Sequence, residues 1–356
     1  MRAVVCVPGG TEVASVPDPR PATGQVIVEV DACGLCGSDV HAIAERFTEP
    51  GQILGHEFSG LIAATGPGVT GWHTGQAVAV NPLGSCRSCR ACASGLPFRC
   101  PEFPNLGLSA PGAYAQYVAV QADQLVRLPD GVPAEAGAHA EPLAVAMQAV
   151  TQADPQPGGA ALVYGVGPIG LNVIMALRLT GVDLIVGAGR SPGRRAAAQA
   201  AGADVVLDTR EISVAEYAGQ SGRRFDSVFE CSAARGSADE ALAVLQPGGC
   251  FVELALTGQS AAVSLERLVQ EGLRLAGTCA YSYPTYEAAV DAIVSGRVPA
   301  AGLISERVSL DETPAVLARL RQPGNLVRVL SRPWAANGSS DSGRDASGEH
   351  SVGIGP

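Results

Sequence analysis

Lysine is absent from the 356 residues, so the cationic side chains are arginines apart from five histidines. With glycine and alanine abundant, that absence reads as a coding bias rather than a functional patch. Charge is scarce as well, at 16% of residues, and the balance is negative, with a formal net charge of -10. Neither nucleic acid nor an anionic membrane surface is an expected partner for such a chain. No apolar stretch runs unbroken for the roughly 18 residues of a membrane helix. The apolar start, Met1 to Gly10, is too short for a secretory signal. A cytoplasmic protein is therefore expected, acting on a small molecule. Hydrophobic residues make up 47%, enough for a sizeable core, and the length suits two domains.

Ten cysteines need explaining. A reducing compartment makes disulfides poor candidates. Cys6, Cys231, Cys250 and Cys279 lie scattered among apolar neighbours, where a free thiol packs as a small hydrophobe. Cys33 and Cys36 form a pair. Cys86, Cys89, Cys92 and Cys100 form a cluster with the spacing C-x2-C-x2-C-x7-C. Four thiolates within one short loop can close a tetrahedron around a single zinc, and with sulfur at every corner that zinc is structural. Arg87, Arg90 and Arg99 could offset the charge of the tetrathiolate. A metal-free loop of four thiols would bury no core and would be an oxidation hazard.

The first third of the chain reads as β. Strands are predicted from Val26 to Val30, Gly60 to Thr65 and Gln76 to Val80, with Gly and Pro between them. From about Gly158 strands alternate with helices. The predicted strands run from Ala161 to Tyr164, Leu184 to Ala188, Val205 to Leu207, Ser227 to Phe229 and Cys250 to Leu254. Helices are predicted from Pro168 to Leu179 and from Arg194 to Ala201. That rhythm predicts an α/β fold with a doubly wound parallel sheet. A helix from Thr285 to Ser295 and short strands follow. Residues 333–356, rich in Ser, Gly and Asp, read as a disordered tail.

A second metal site is implied by separated residues. Gly34 to His41 reads G-L-C-G-S-D-V-H, Gly55 to Gly60 reads G-H-E-F-S-G, and Glu141-Pro142 comes later. Cys36, His56 and a carboxylate form a mixed sulfur, nitrogen and oxygen set that suits zinc with one position open. Taken singly, the cysteine and the histidine read as core residues and Glu-Pro as a turn.

Together, these residues, the four-cysteine cluster and a later glycine turn resemble the zinc-containing medium-chain alcohol and polyol dehydrogenases. The sorbitol and threonine dehydrogenase branch is nearest. The likeness covers about Met1 to Arg332 in the family's order of motifs. It implies a GroES-like, β-rich catalytic domain over residues 1–152, a Rossmann nicotinamide-binding domain over 153–280, and a return to the catalytic domain over 281–332. It implies two zinc ions per chain and a homo-oligomer, a dimer or tetramer. Residue by residue, Cys36 and His56 match zinc ligands. Glu57 matches a ligand or near-ligand, and Glu141 a carboxylate approaching the metal or its water. Asp39 matches the acid that orients the ligating histidine. Ser38 stands where the family touches the substrate oxygen, and His41 where it has a proton-relay histidine; a helix cap and a surface histidine are the plainer readings of these two. The chemistry implied is Lewis-acid activation of an alcohol with hydride passing to a nicotinamide.

The coenzyme motif is Gly165-Val166-Gly167-Pro168-Ile169-Gly170, a G-x-G-x-x-G between a predicted strand and an apolar helix. Its glycines let a pyrophosphate approach the helix N-terminus. At the end of the next strand, Gly189 stands where NAD-using relatives carry an acid. Arg190, Ser191 and Arg194 follow and could bind a 2′-phosphate. NADP is favoured on that ground, with NAD as the alternative. The substrate is the least legible part. The stretch between Cys36 and His56 is shorter than usual for the branch. In Gly277 to Tyr283, G-T-C-A-Y-S-Y, Ala280 replaces the arginine with which sorbitol-type enzymes hold a hydroxyl. A polyol, a cyclitol or another secondary alcohol is expected. A zinc-free quinone or enoyl reductase of the same superfamily would lack Cys36, His56 and the cysteine cluster. A non-catalytic binding protein on this fold would have no need of an open metal site.

Overall fold

Val26, Val28, Val30, Ala32 and Cys33 are wholly buried, and they make Gln25–Gly34 the central strand of a β-rich body. The computed structural model describes residues 1–336 apart from 46, 87, 95, 97, 98, 103, 104, 257–259 and 323. Among these, seven strands form one sheet. Its spatial order is Ile304–Ser309, Arg328–Arg332, Gln25–Gly34, Glu57–Thr65, Ala77–Val80 and Leu125–Arg127, with Tyr117–Gln121 pairing onto Gln25–Gly34. The last two strands of the chain thus join the sheet built by the first third. Leu330 pairs with Gly34 and Ser331 with Cys33. Trp334 packs edge-on against Tyr117, so Pro333 to Ala336 belong to the folded body. The rest of the segment read as a tail, 337–356, lies outside the described residues.

The middle of the chain builds a parallel sheet of six strands. Their order is Val205–Asp208, Leu184–Gly189, Ala160–Tyr164, Phe225–Glu230, Leu245–Glu253 and Arg274–Gly277. The chain winds outward from Ala160–Tyr164 in one direction, returns, and winds outward in the other. The crevice at the carboxyl ends of Ala160–Tyr164 and Phe225–Glu230 is therefore the switch point at which doubly wound sheets bind ligands. Leu162, Val163, Ile185 and Val186 are fully buried, as strands covered on both faces must be.

Ala140–Ala153 is a helix of 14 residues that packs on Pro168–Arg178 and Tyr283–Val294. It joins the two sheets through one apolar core. Glu141-Pro142, which reads locally as a turn, opens this helix instead. A proline in a first helical turn gives up an N–H that has no partner there anyway. Among the described residues no helix is long and apolar enough to cross a membrane.

Candidate active site and coenzyme cleft

Two short loops bring the predicted metal ligands together. Cys36 caps the helix Gly37–Ala44, His56 directly precedes the strand Glu57–Thr65 and Glu57 opens it. Gly55 makes the approach possible: its φ is +95°, and a Cβ there would lie 2.8 Å from the Tyr114 ring and 2.9 Å from Cys33 Sγ. One donor atom each from Cys36, His56 and Glu57 lies within 4.8 Å of the others. Glu141 stands outside that group. It is close enough to His56, Glu57 and Arg328 to feel their charge, and burial pushes its carboxyl up to about 7.

The surroundings fix these donors. His56 Nε2 faces Ser38 Oγ at 3.5 Å, and Ser38 Oγ lies 3.2 Å from Cys36 Sγ. His56 Nδ1 faces Asp39 Oδ1 at 3.4 Å, within ion-pair reach but too oblique for a regular hydrogen bond. Asp39 is fully buried, and Tyr114 donates to its Oδ2 at 2.5 Å. Arg328, from the returning strand, donates to Glu57 Oε2 at 2.6 Å and to the Ala138 carbonyl at 2.7 Å. Burial pushes His56 down, but Asp39 and then the Cys36 thiolate outweigh it and raise it well above its ordinary value. Burial, and then Glu57, push the Cys36 thiol up. The pocket therefore favours a positive charge at these donors, and a sulfur, nitrogen and oxygen set of this kind fits zinc.

The four-cysteine cluster is also assembled. Sγ–Sγ separations are 3.5 Å for Cys89–Cys92, 3.9 Å for Cys89–Cys100 and 4.0 Å for Cys86–Cys92. Zinc–sulfur bonds of about 2.3 Å place the corners of a tetrahedron about 3.8 Å apart, so the cluster has the size of a tetrathiolate zinc site. The backbone N–H groups of Ser88 and then Cys89 pull Cys86 down to about 6. For Cys89 the Cys92 N–H acts in the same direction, but burial and the neighbouring thiols prevail and push it up to about 11. Arg90 and Arg99 belong to this lobe; Arg87 lies outside the described residues.

The glycine turn has the shape its motif requires. Gly165 has φ +98°, and a Cβ there would lie 2.6 Å from the Ser232 nitrogen. A Cβ on Gly170 would lie 1.9 Å from the Gly165 carbonyl. Pro168 and Ile169 open the helix behind Gly167, which caps it with no side chain, so the first N–H groups remain open to an anion. Arg194 Nη1 is 3.7 Å from where a Gly167 Cβ would stand.

The next loop differs from its reading in sequence. Arg190 is exposed. Ser191, however, caps the helix Pro192–Ala200 and donates to Asn325 at 2.5 Å, and Arg194 Nε donates to the Leu326 carbonyl at 3.0 Å. Gly189 lies opposite Asp208 in register. Asp208, which sequence reasoning missed, is gripped by Arg195 and by Arg210 (2.6 and 2.9 Å). The Asp-Thr-Arg run ending the third strand was the available signal. His41 is exposed and lines a cleft with Glu230 and Glu253. A second cleft, of about 420 Å³, is lined by Gln148, Glu253, Thr278, Ala280 and Tyr281. The buried Tyr281 hydroxyl donates to Asn81 Oδ1 at 3.5 Å and lies close enough to Glu141 to feel its charge, which places the metal donors' surroundings next to this cleft.

Comparison with known proteins bears on this arrangement. Residues 22–130 match the alcohol dehydrogenase GroES-like domain, and residues 168–295 match the zinc-binding dehydrogenase family model. The sorbitol dehydrogenase of Halalkalibacterium halodurans is 30% identical over 342 residues, covering 94% of this chain and 99% of its own. A zinc-binding dehydrogenase of Sinorhizobium meliloti 1021, solved with NADP, superposes with a TM-score of 0.86 at 28% identity, over 93% of this chain and 99% of its own. A short chain alcohol dehydrogenase of Escherichia coli CFT073, solved with NADH, gives a TM-score of 0.88 over the same shares; its 24% identity speaks to the fold alone.

Proposed function

The chain belongs to the zinc-dependent medium-chain alcohol and polyol dehydrogenases, and from that premise we propose that it oxidises or forms a secondary alcohol of a polyol or cyclitol, with NADP preferred to NAD. The observation that carries this reading is the Cys36–His56–Glu57 donor group, linked through Glu141 and Tyr281 to a cleft at the carboxyl edge of the parallel sheet. Cys36 and His56 would hold the catalytic zinc with Glu57 or Glu141 as the carboxylate, and Cys86, Cys89, Cys92 and Cys100 a structural one. Bound there, zinc supplies Lewis acidity that lowers the pKa of an alcohol hydroxyl, and the coenzyme supplies the hydride acceptor.

The protein's own residues do the placing. Asp39, fixed by Tyr114, keeps the His56 ring turned so that Nε2 faces the donor group. Ser38 Oγ lies between the Cys36 sulfur and His56, where it can take the proton of a substrate hydroxyl. His41, exposed in a neighbouring cleft, would pass that proton to solvent. Arg328 holds one oxygen of Glu57, which limits that carboxylate to its other oxygen as a ligand. Gln148 and Thr278 offer hydrogen bonds to further hydroxyls, and Ala280 leaves space beside them.

NADP is supported by the absence of an acid at Gly189 and by exposed Arg190. An arginine–phosphate pair contributes about 1.5–3 kcal/mol, a preference of about tenfold to a hundredfold. Arg190→Ala should remove most of that preference and leave NAD binding within about twofold. Gly189→Asp is a poorer test, because a Cβ there would lie 2.6 Å from Val166 Cγ2. The deciding experiment is a screen of polyols and cyclitols that follows reduced-coenzyme absorbance with NAD and NADP in parallel. No turnover of any secondary alcohol by the zinc-loaded protein would remove the reading, and equal or tighter binding of NAD would remove the preference.

A dimer is part of the proposal. Among the described residues Arg274–Gly277 pairs on one side only, and Leu275, with Leu265 and Val269 of the preceding helix, is exposed. An unpaired edge beside apolar side chains is the form of surface that a second copy covers. Val269→Glu should shift the protein to monomer in sedimentation velocity; a wild-type monomer at micromolar concentration would end this part of the reading.

A further inference from the structure

The chemistry proposed above leaves two acids at the carboxyl edge of the six-stranded sheet without a role. Glu230 and Glu253 end adjacent parallel strands and stand opposite each other in register. Glu230 is 1% exposed, and its carboxylate accepts from the Ser232 N–H (3.0 Å), the Ser232 hydroxyl and the Ala233 N–H (3.3 Å). Glu253 accepts from the Ala255 N–H at 3.0 Å. Burial, and then the charge of Glu230, push the Glu253 carboxyl up to about 7.

Their position matters more than their number. Ser232, which Glu230 holds, packs directly on the glycine turn at Gly165, and the Cys231 N–H donates to the Tyr164 carbonyl at 2.8 Å. Glu253 lines the cleft shared with Thr278 and Tyr281, and Tyr281 reaches Glu141 beside the metal donors. The pair therefore lies between the pyrophosphate turn and the metal donors. A nicotinamide ring must span that interval if its coenzyme sits on the turn and its substrate on the metal.

Resting on that coenzyme reading, we propose that Glu230 and Glu253 form a specificity-determining pair that senses the charge of the nicotinamide ring and favours the oxidised coenzyme over the reduced one. The oxidised ring is a cation and the reduced ring is neutral. With one proton on Glu253 the pair carries a single negative charge; with the cation nearby, losing that proton adds a second. Among the described residues the other titratable groups facing the pair are Cys231 beside it, Tyr164 in register with Glu230 on the adjoining strand, Arg99, Cys279 and Tyr281 around one cleft, and His41, Glu45 and Asp239 across the other; the two tyrosines stay neutral over the range tested, since burial and nearby carboxylates push both hydroxyls up. Arg99 opposes the effect and Glu45 and Asp239 reinforce it, but all three stand across a cleft while Glu230 is on the adjoining strand.

The sign follows from Glu253. Below about pH 7 it is protonated and the pair is singly charged; above, it ionises. Oxidised coenzyme should therefore bind more tightly as pH rises from 6 to 8.5, by about tenfold, the size of one partly screened charge pair. Reduced coenzyme should show no such gain.

The test is calorimetric titration of the zinc-loaded protein with oxidised and reduced coenzyme, across that pH range. Two buffers of different ionisation enthalpy count the protons released. Wild type should release a fraction of a proton at pH 7 on binding the oxidised form and show the tenfold slope. Glu253→Gln, close in shape and not titratable, should lose the slope and that share of released protons, while its affinity for reduced coenzyme stays within about twofold, which also shows that the variant is folded. The same slope and proton release in Glu253→Gln would overturn the pair's role. Failure of wild type to bind any nicotinamide coenzyme would instead overturn the reading on which it rests.

Discussion

Cys36→Ser should lower turnover by about a thousandfold or more and cut bound zinc from two ions per chain to one. A serine hydroxyl stays protonated near neutral pH and is a poor zinc ligand, so the donor group would shrink to His56 and a carboxylate. Glu57 cannot compensate, because Arg328 holds its Oε2 at 2.6 Å in a buried pair. Losing the ion forfeits the several kcal/mol by which a Lewis acid stabilises charge on a substrate oxygen. At about 1.36 kcal/mol per tenfold, that is about three orders of magnitude. The proposed four-cysteine zinc would use other ligands on another loop, so the thermal unfolding midpoint should change little. Metal analysis beside steady-state rates checks both halves. Full activity in the variant would remove Cys36 from the mechanism, and loss of both ions would show that the sites are not independent.

The parts of this site legible in sequence are those whose chemistry is local. Four cysteines within fifteen residues, and a glycine turn between a strand and a helix, carry their geometry in their spacing. Cys36 and His56 were legible as part of a donor set suited to zinc, but each taken singly reads as a core residue, and the family resemblance was needed to bring them together, because the residues between them bear no metal signal. The residues that hold the ligands were not legible. Arg328 lies 271 positions from Glu57, and Tyr114 lies 75 from Asp39. The strand Arg328–Arg332 reaches the site because it pairs with Gln25–Gly34, a contact that no local pattern encodes.

The coenzyme loop shows the converse. Ser191 and Arg194 read as free phosphate ligands because their neighbours in sequence leave them unpartnered. Asn325 and the Leu326 carbonyl, from the returning segment, take up the Ser191 hydroxyl and one nitrogen of Arg194. Arg190, which projects into solvent beside them, keeps the property its sequence suggests. The loop that would hold the adenosine end of the coenzyme is thereby tied to the segment that ends in Arg328, the partner of Glu57.

Cys89→Ser should damage the fold rather than the chemistry. The lobe around Cys86, Cys89, Cys92 and Cys100 has little core of its own: Cys100 is buried, but the short helix Arg90–Ala93 contributes no buried residue. On the proposed reading its order comes from a bound zinc. Structural zinc contributes apparent binding energies of about 10–16 kcal/mol in small domains, so one lost ligand of four costs about 3 kcal/mol. For a domain of 150–250 residues, at about 2–4 °C per kcal/mol, the unfolding midpoint should fall by about 6–12 °C. The opened cluster would also leave Cys86, whose thiol is already pulled down to about 6, as a reactive thiolate at neutral pH. Disulfide-linked aggregates that reducing agent dissolves are the expected accompaniment. Cys279→Ser, which alters an exposed cysteine outside both clusters, is the control and should change neither zinc content nor midpoint. Differential scanning calorimetry with metal analysis decides the matter. A Cys89→Ser protein with an unchanged midpoint and two zinc ions per chain would show that the four sulfurs hold no structural metal.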